Sequence, residues 1–196
     1  WRVDPKKAGP AFSMGDVGTH MLYLTEAICP DLNIKRLMCT KQSFVEGRQL
    51  EDNAMSIMEY DNSAIGYIWS SGVNAGEQFG FRIRIVGEKA SVAWDAEKPN
   101  YLSYEVQGES PRLLGRGNSY LYPEALADDR IGGGHPEGLF EAWSNLYTKF
   151  AIAIDRCEKG EDIDFWYPDI HAGVLGVKWV DKCVESADKD SAWIAF

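Results

Sequence analysis

Three features of the sequence predict an α+β fold: one open, mainly antiparallel sheet with the helices gathered on one face. Between residues 34 and 114, short β-forming runs alternate with tight turn signals, which join neighbouring strands as hairpins. Two long amphipathic helix patterns follow, over residues 139–157 and 170–184. A shorter helix pattern precedes the strands, opening at Gly15-Asp16-Val17-Gly18-Thr19-His20 and stopping at Pro30. Strands grouped together between helices, rather than alternating with them, are the mark of this class.

The first element after an irregular lead-in over residues 1–12 is that shorter helix. Val17, Met21, Leu24 and Ile28 recur at helical spacing and form an apolar stripe. Asp16 and His20, four apart, share an adjoining face about a turn from each other. The helix is expected to bury the first set and present the second to a cleft. With a start at Gly15 or Asp16, His20 falls in the first turns, where the positive end of the helix dipole disfavours an imidazolium. A neutral His with a carboxylate to fix its tautomer suits a general base. Gly18 between them is expected to leave room for a ligand. On spacing alone, a capping Asp and a solvated His remain the plain alternative.

Strand signals then dominate. Residues 34–45 are rich in β-formers, and residues 53–60 and 64–70 flank an Asp61-Asn62-Ser63 turn. Phe79, Phe81, Ile83 and Ile85 alternate with Gly80, Arg82, Arg84 and Val86, which predicts one apolar and one more polar face. Gly87-Glu88-Lys89 turns the chain into a strand over 91–94, and residues 101–106 and 112–114 supply two more. Arg82 and Arg84 point one way, towards solvent, an interface or a ligand.

Residues 118–134 read as a loop with Tyr120, Tyr122 and the charged run Asp128-Asp129-Arg130. His135-Pro136-Glu137 then resembles a helix start, because Pro suits the first turn and Glu complements the dipole. Leu139, Trp143, Leu146, Phe150, Ala153 and Cys157 make the next helix amphipathic, with its aromatics expected to pack on the sheet. After Pro168, Ile170, Val174, Val177, Val180 and Val184 line one face of the last helix. Gly173 and Gly176 inside it each cost about 1 kcal/mol of helix propensity, so close packing is the expected compensation. His171 reads as a surface or packing residue. Residues 191–196 close the chain as a short strand returning to the sheet.

The composition excludes several function classes. A net charge of −10 argues against nucleic acid or an anionic membrane as partner. No apolar run reaches the length of a membrane span. The four cysteines, Cys29, Cys39, Cys157 and Cys183, are scattered without metal-ligand spacing. They read as buried thiols in a reducing, cytoplasmic setting, with no metal site. No Gly-x-Gly-x-x-Gly opens a βαβ unit, and Gly132-Gly133-Gly134 lacks that spacing. The opening at Trp1 rather than Met is read as the edge of a piece of a longer protein.

Four stretches resemble, in order, the C-terminal domain of the glucose–fructose oxidoreductase/inositol dehydrogenase (Gfo/Idh/MocA) family. They are Asp16-Val17-Gly18-Thr19-His20, the run from Arg84 to Trp94, Gly134-His135-Pro136-Glu137-Gly138, and the run from Tyr167 to Gly173. The resemblance implies that residues 1–196 are one substrate-binding and oligomerisation domain, with an N-terminal dinucleotide-binding domain outside this chain. It implies a nicotinamide-dependent oxidoreductase acting on a sugar, polyol or derivative, with NAD or NADP as cofactor. His20 would be the acid/base on the substrate hydroxyl, and Asp16 would orient or bind. His135 borders the substrate cleft in the sugar-active branches, and Arg2 would touch a substrate oxygen or a cofactor phosphate. For His135 a structural cap, and for Arg2 an exposed surface arginine, stand as alternatives. A family lysine, usually from a Glu-Lys-Pro element of the N-terminal domain, is expected outside the chain, which alone would be inactive. The resemblance further implies a homodimer or homotetramer through the open sheet face. A non-catalytic assembly relative, and a NAD-dependent glycoside hydrolase or lyase on the same scaffold, fit the same residues.

Overall fold

The eight strands form two four-stranded, wholly antiparallel sheets, so the expected α+β architecture holds, with its strands shared between two hydrogen-bonded sets. The computed structural model describes residues 1–196. The chain divides into two compact units, Trp1–Glu77 with Tyr167–Phe196, and Gln78–Trp166.

In the first unit the sheet runs β3-β2-β1-β8, from β1 (Ile34–Gln42), β2 (Asn53–Tyr60), β3 (Ile65–Ser71) and β8 (Ile194–Ala195). The closing strand pairs with β1 through Arg36–Ala195 and Leu37–Ile194, so the C-terminus does return to the sheet. Alternation divides the two faces. Leu37, Cys39, Ala54, Met58, Tyr60 and Ile68 point inward to a core that also holds Met14, Leu22, Trp179 and Cys183. Met55, Tyr67 and Trp69 lie on the opposite face and are exposed. Helix α5 (Ile170–Asp188) covers the inner face against β1, and α2 (Thr19–Ile28) packs beside α5 with Leu22 in the same core; a short turn of helix, α1 (Pro5–Ala8), lies in the lead-in.

Both helices bury their expected apolar stripes only in part: Met21 of α2 packs against the core, as do Val180 and Val184 of α5. Leu22, not the Val17/Met21/Leu24/Ile28 stripe, is the fully buried residue of α2, and Val17 and Ile28 are exposed. In α5 the buried set is Trp179, Val180, Cys183 and Ser186, while Ile170, Val174 and Val177 face outward. Asp169 caps α5 by accepting from the amides of His171 (2.9 Å) and Ala172 (3.2 Å), and Pro168 stands just before the helix. A Cβ on Gly173 would meet open space, and one on Gly176 would only touch Thr19 at 3.9 Å. The expected close packing at the two glycines is therefore slight at one and missing at the other.

The second unit carries the sheet β4-β5-β6-β7, from β4 (Arg82–Val86), β5 (Ala90–Asp95), β6 (Tyr101–Val106) and β7 (Arg112–Gly115). The Gly87–Lys89 hairpin closes with Gly87 N–H on Ala90 O at 2.9 Å. Arg82 pairs across the strands with Asp95 at 3.0 Å. The expected loop over 118–134 contains a short helix, α3 (Pro123–Ala127). Helix α4 spans Leu139–Lys159 and ends on Gly160 at a left-handed φ of 69°. None of its residues is buried: Leu139, Phe140, Trp143, Leu146, Tyr147 and Phe150 are all more than half exposed. Packing of its aromatics on the sheet, the expected arrangement, is not what holds this helix.

Candidate active site

The Asp16/His20 segment is built as a π-helical turn, Met14–Gly18, running straight into α2. Thr19 N–H reaches back five residues to Met14 O, and Asp16 N–H reaches four to Phe12 O at 2.9 Å. Helical backbone therefore begins before Gly15, and His20 stands more than a turn inside it. The dipole effect fades within the first turn, so the expected electrostatic bias against a charged His20 loses its ground.

A buried carboxylate occupies the true start of the helix. Glu51, 4% exposed, accepts from the amides of Phe12 and Met14, each at 2.9 Å, and from Ser13 Oγ at 3.3 Å. Anionic oxygens on these first amides satisfy donors that have no intrahelical partner. Ser70 of β3 adds a second tie, donating from Oγ to Ser13 O at 2.6 Å. From the other side Gly18 lies against Trp179 of α5, where an added Cβ would come 2.9 Å from the indole ring. Gly18 is buried, so it makes room for Trp179 and not, as expected, for a ligand.

With that face locked inward, Gly15, Asp16, Val17 and His20 are left outward and exposed. Asp16 Oδ1 receives Arg2 Nε at 3.1 Å, and Arg2 stacks over Trp1 with 4.9 Å between guanidinium carbon and ring centre. The structure thus brings two of the expected site residues together, Arg2 and Asp16. Asp16 meets Arg2 rather than fixing the tautomer of His20. His20 sits on the next turn with its imidazole accessible. An arginine fork beside a carboxylate offers both donors and acceptors to vicinal hydroxyls.

Below Glu51, Asp52 is fully buried and organises the 44–48 loop. It accepts from the amides of Phe44 (2.9 Å) and Val45 (3.0 Å) and from Arg48 at 3.4 Å. Burial by itself would raise this carboxyl. The two amide bonds and the Arg48 charge outweigh it and hold Asp52 below the usual carboxylate range. Near the end of α2, burial pushes the Glu26 carboxyl up. Cys183 is held up by its hydrogen bond to Cys39 and by burial, which leaves an inert thiol. Cys39 and Cys183 are the buried pair; Cys157, expected to be buried, is exposed.

His135 belongs to the second unit. Its loop, residues 129–138, contains no repeating backbone structure. His135 is exposed, and its imidazole Nδ1 lies 3.2 Å from Gly132 O, within hydrogen-bond reach of a carbonyl that can only accept. Glu137, expected to complement the helix dipole, instead faces back into the loop, accepting from the amides of Arg130 (2.7 Å) and Ile131 (2.5 Å). Glu141 takes the capping role, accepting from Gly138 N–H at 2.8 Å, and that bond holds its carboxyl low. The string Glu97-Lys98-Pro99 forms the turn between β5 and β6, with Lys98 N–H on Asp95 O at 2.9 Å.

No group of three or more His, Cys, Asp or Glu side chains is placed to hold a metal ion. No helix is long and apolar enough to cross a membrane. The residues present do not fit a dinucleotide pyrophosphate. The Gly132–Gly134 run is folded against Gly117, where a Cβ on Gly133 would lie 2.8 Å from Gly117 O, and the nearest helix start is already capped by Glu141.

Antiparallel sheets with helices packed against them, and a surface Asp-x-x-x-His on the first long helix, match one class: the C-terminal alpha/beta domain of an oxidoreductase family. The chain belongs to the Gfo/Idh/MocA family, whose C-terminal alpha/beta domain matches residues 1–196. It is 56% identical, over its full length, to an inositol dehydrogenase homolog from Azotobacter vinelandii solved with NAD+, at a TM-score of 0.97. The same organism's inositol dehydrogenase homolog complexed with NADH and myo-inositol is 55% identical at a TM-score of 0.94. An uncharacterized oxidoreductase, YfiI of Bacillus subtilis (strain 168), is 52% identical over 200 residues. Levoglucosan dehydrogenase, at 17% identity and a TM-score of 0.84, shares the fold. The chain spans about half the length of these relatives, 51% of YfiI and 51–52% of the solved chains.

Proposed function

We propose that this chain is the substrate-binding and oligomerisation half of a nicotinamide-dependent dehydrogenase acting on a cyclic polyol or sugar. The observation that carries the reading is the exposed His20 beside the Arg2–Asp16 pair, on a helix start locked in place by Glu51 and Trp179. Support comes from a relative 55% identical over the whole chain that is complexed with NADH and myo-inositol.

In this reading His20 accepts the proton of the reacting hydroxyl as its carbon is oxidised, and returns it in the reverse direction. Arg2 donates to, and Asp16 accepts from, neighbouring hydroxyls, which fixes the substrate's orientation. His135, exposed in the second unit, adds a further substrate contact through its imidazole. A nicotinamide, NAD or NADP, is held by a part of the protein beyond these residues and supplies the hydride acceptor. The exposed outer face of the first sheet, with Met55, Tyr67 and Trp69, is the surface through which copies assemble into a homodimer or homotetramer.

The test is turnover. The protein carrying both halves, offered NAD+ and NADP+ separately with a panel of inositols, aldoses and their glycosides, should form reduced cofactor with a cyclic polyol or sugar. Cleavage of a glycoside without net cofactor reduction, or no turnover of any member of the panel, would overturn the reading.

A further inference from the structure

Arg116 is the most heavily engaged side chain of the second unit, and nothing in its local sequence announces it. It follows β7 in a Gly115-Arg116-Gly117 turn, with its side chain 16% exposed. Its Nε donates to Asn100 Oδ1 at 3.0 Å. Its Nη1 shares two N–H bonds among three acceptors, Asp129 Oδ1 at 3.0 Å, Glu137 Oε1 at 2.9 Å and Ile131 O at 2.7 Å, and its Nη2 donates to His135 O. One guanidinium thereby fixes four points between Asp129 and Glu137. Asn100 closes the other side: its Oδ1 also accepts from Glu137 N–H at 2.9 Å, and its Nδ2 donates to Glu137 O at 2.9 Å.

This arrangement has a consequence for His135. The loop that bears it has neither strand nor helix to hold its backbone, and it contains three consecutive glycines. Conformational freedom in such a segment is lost only if many bonds restrain it. Here the restraints converge on one charged fork that bonds the carbonyl of His135 itself. The imidazole in turn is anchored within the same loop, at Gly132 O. The placement of the imidazole is therefore set by where Arg116 holds the loop.

We propose that Arg116 is a positioning residue for the substrate contact made by His135. It acts through the loop backbone and does not touch substrate. The inference rests on the reading of His135 as a substrate contact given under Proposed function. Lysine cannot take over the task, because an ammonium is a point charge with three donors and cannot span the separated acceptors of a planar fork.

The test uses the protein carrying both halves and compares Arg116→Lys, His135→Ala and the double variant. A misplaced contact weakens binding while the acid/base stays intact. Each single variant should therefore raise KM for the polyol by roughly 10-fold or more, with kcat and the KM for cofactor nearly unchanged. The double variant should be no worse than either single one, because the two residues serve one contact. Amide hydrogen exchange over residues 129–137 should quicken in Arg116→Lys and stay as in the parent in His135→Ala. Should Arg116→Lys not fold, Glu137→Gln, which keeps the shape and removes one charge from the cluster, should raise KM in the same sense. An unchanged KM in Arg116→Lys with a raised KM in His135→Ala overturns the role of Arg116. A raised KM in Arg116→Lys with none in His135→Ala overturns the reading of His135, and with it the inference. Multiplying effects in the double variant would show that the two act separately, and would also overturn it.

Discussion

Gly18 lies so close to Trp179 that a single methyl group on its Cα would sit 2.9 Å from the indole ring. The contact joins the helix bearing His20 to the most buried large side chain of α5. It ties the orientation of the candidate acid/base to the core of the first unit.

Gly18→Ala should therefore destabilise the chain by about 1–3 kcal/mol, the usual cost of overpacking a filled site. Chemical denaturation read by tryptophan fluorescence measures it. An unchanged midpoint would mean that Trp179 slides aside without cost.

His20→Ala, in the protein carrying both halves, should lower kcat by roughly 10²–10⁴-fold, the worth of a positioned acid/base. His20 is exposed, so the melting temperature should hardly move. Turnover within a few-fold of the parent would remove His20 from the chemistry.

Asp52 predicts an acid-side loss of stability. Its carboxyl is held below the range it has in the unfolded chain, by amide bonds and Arg48 that outweigh its burial. A depressed carboxyl stabilises the fold above its unfolded pKa and loses that contribution as pH falls through the folded one. Unfolding free energy measured from neutral pH downward should drop through the acid range, and Asp52→Asn should flatten part of that drop. Parallel curves for the two proteins would show that another carboxylate dominates.

The outer face of the first sheet makes a prediction about assembly. Tyr67 is 73% exposed and Trp69 50%, side by side on β3. Replacing both by Lys should lower the mass seen by light scattering to that of a single copy. A mass that stays the same would place the interface elsewhere.

Isolated residues 1–196 should turn over no polyol and bind neither NAD nor NADP. Dinucleotide binding draws on a strand–glycine turn–helix unit, and the one glycine run here is folded onto Gly117. Calorimetric titration is the check; micromolar binding would reveal a phosphate site that this geometry does not offer.

Much of the fold was legible because periodicity reports directly on backbone type. The strands Asn53–Tyr60 and Tyr101–Val106 and the cores of α4 and α5 fall where alternation and helical spacing put them. Which face each helix buries was less legible. Apolar spacing shows that a face is suited to burial and not what covers it, so the exposed Trp143 and Val174 looked like core. The π-turn over Met14–Gly18 puts Val17 out of phase with Met21, Leu24 and Ile28, because spacing arguments assume 3.6 residues per turn throughout. The candidate pair Asp16 and His20 stood out from its local pattern. Glu51 and Arg116 did not, because what they hold lies far off in the chain: Phe12 is 39 residues from Glu51. A carboxylate ahead of a strand, or an arginine between two glycines, gives no local sign of a distant backbone partner.

The turn over Met14–Gly18 also works as a clutch between two registers. Upstream of it the backbone is clocked by Glu51 and Ser70, and downstream by Trp179. The reach of Thr19 back to Met14 spends one more residue than an ordinary turn. Excising that residue would restore regular winding and swing everything on one side by about 100° against the other, from 3.6 residues per turn. Asp16 and His20 straddle the joint, so their mutual bearing depends on keeping the spare residue.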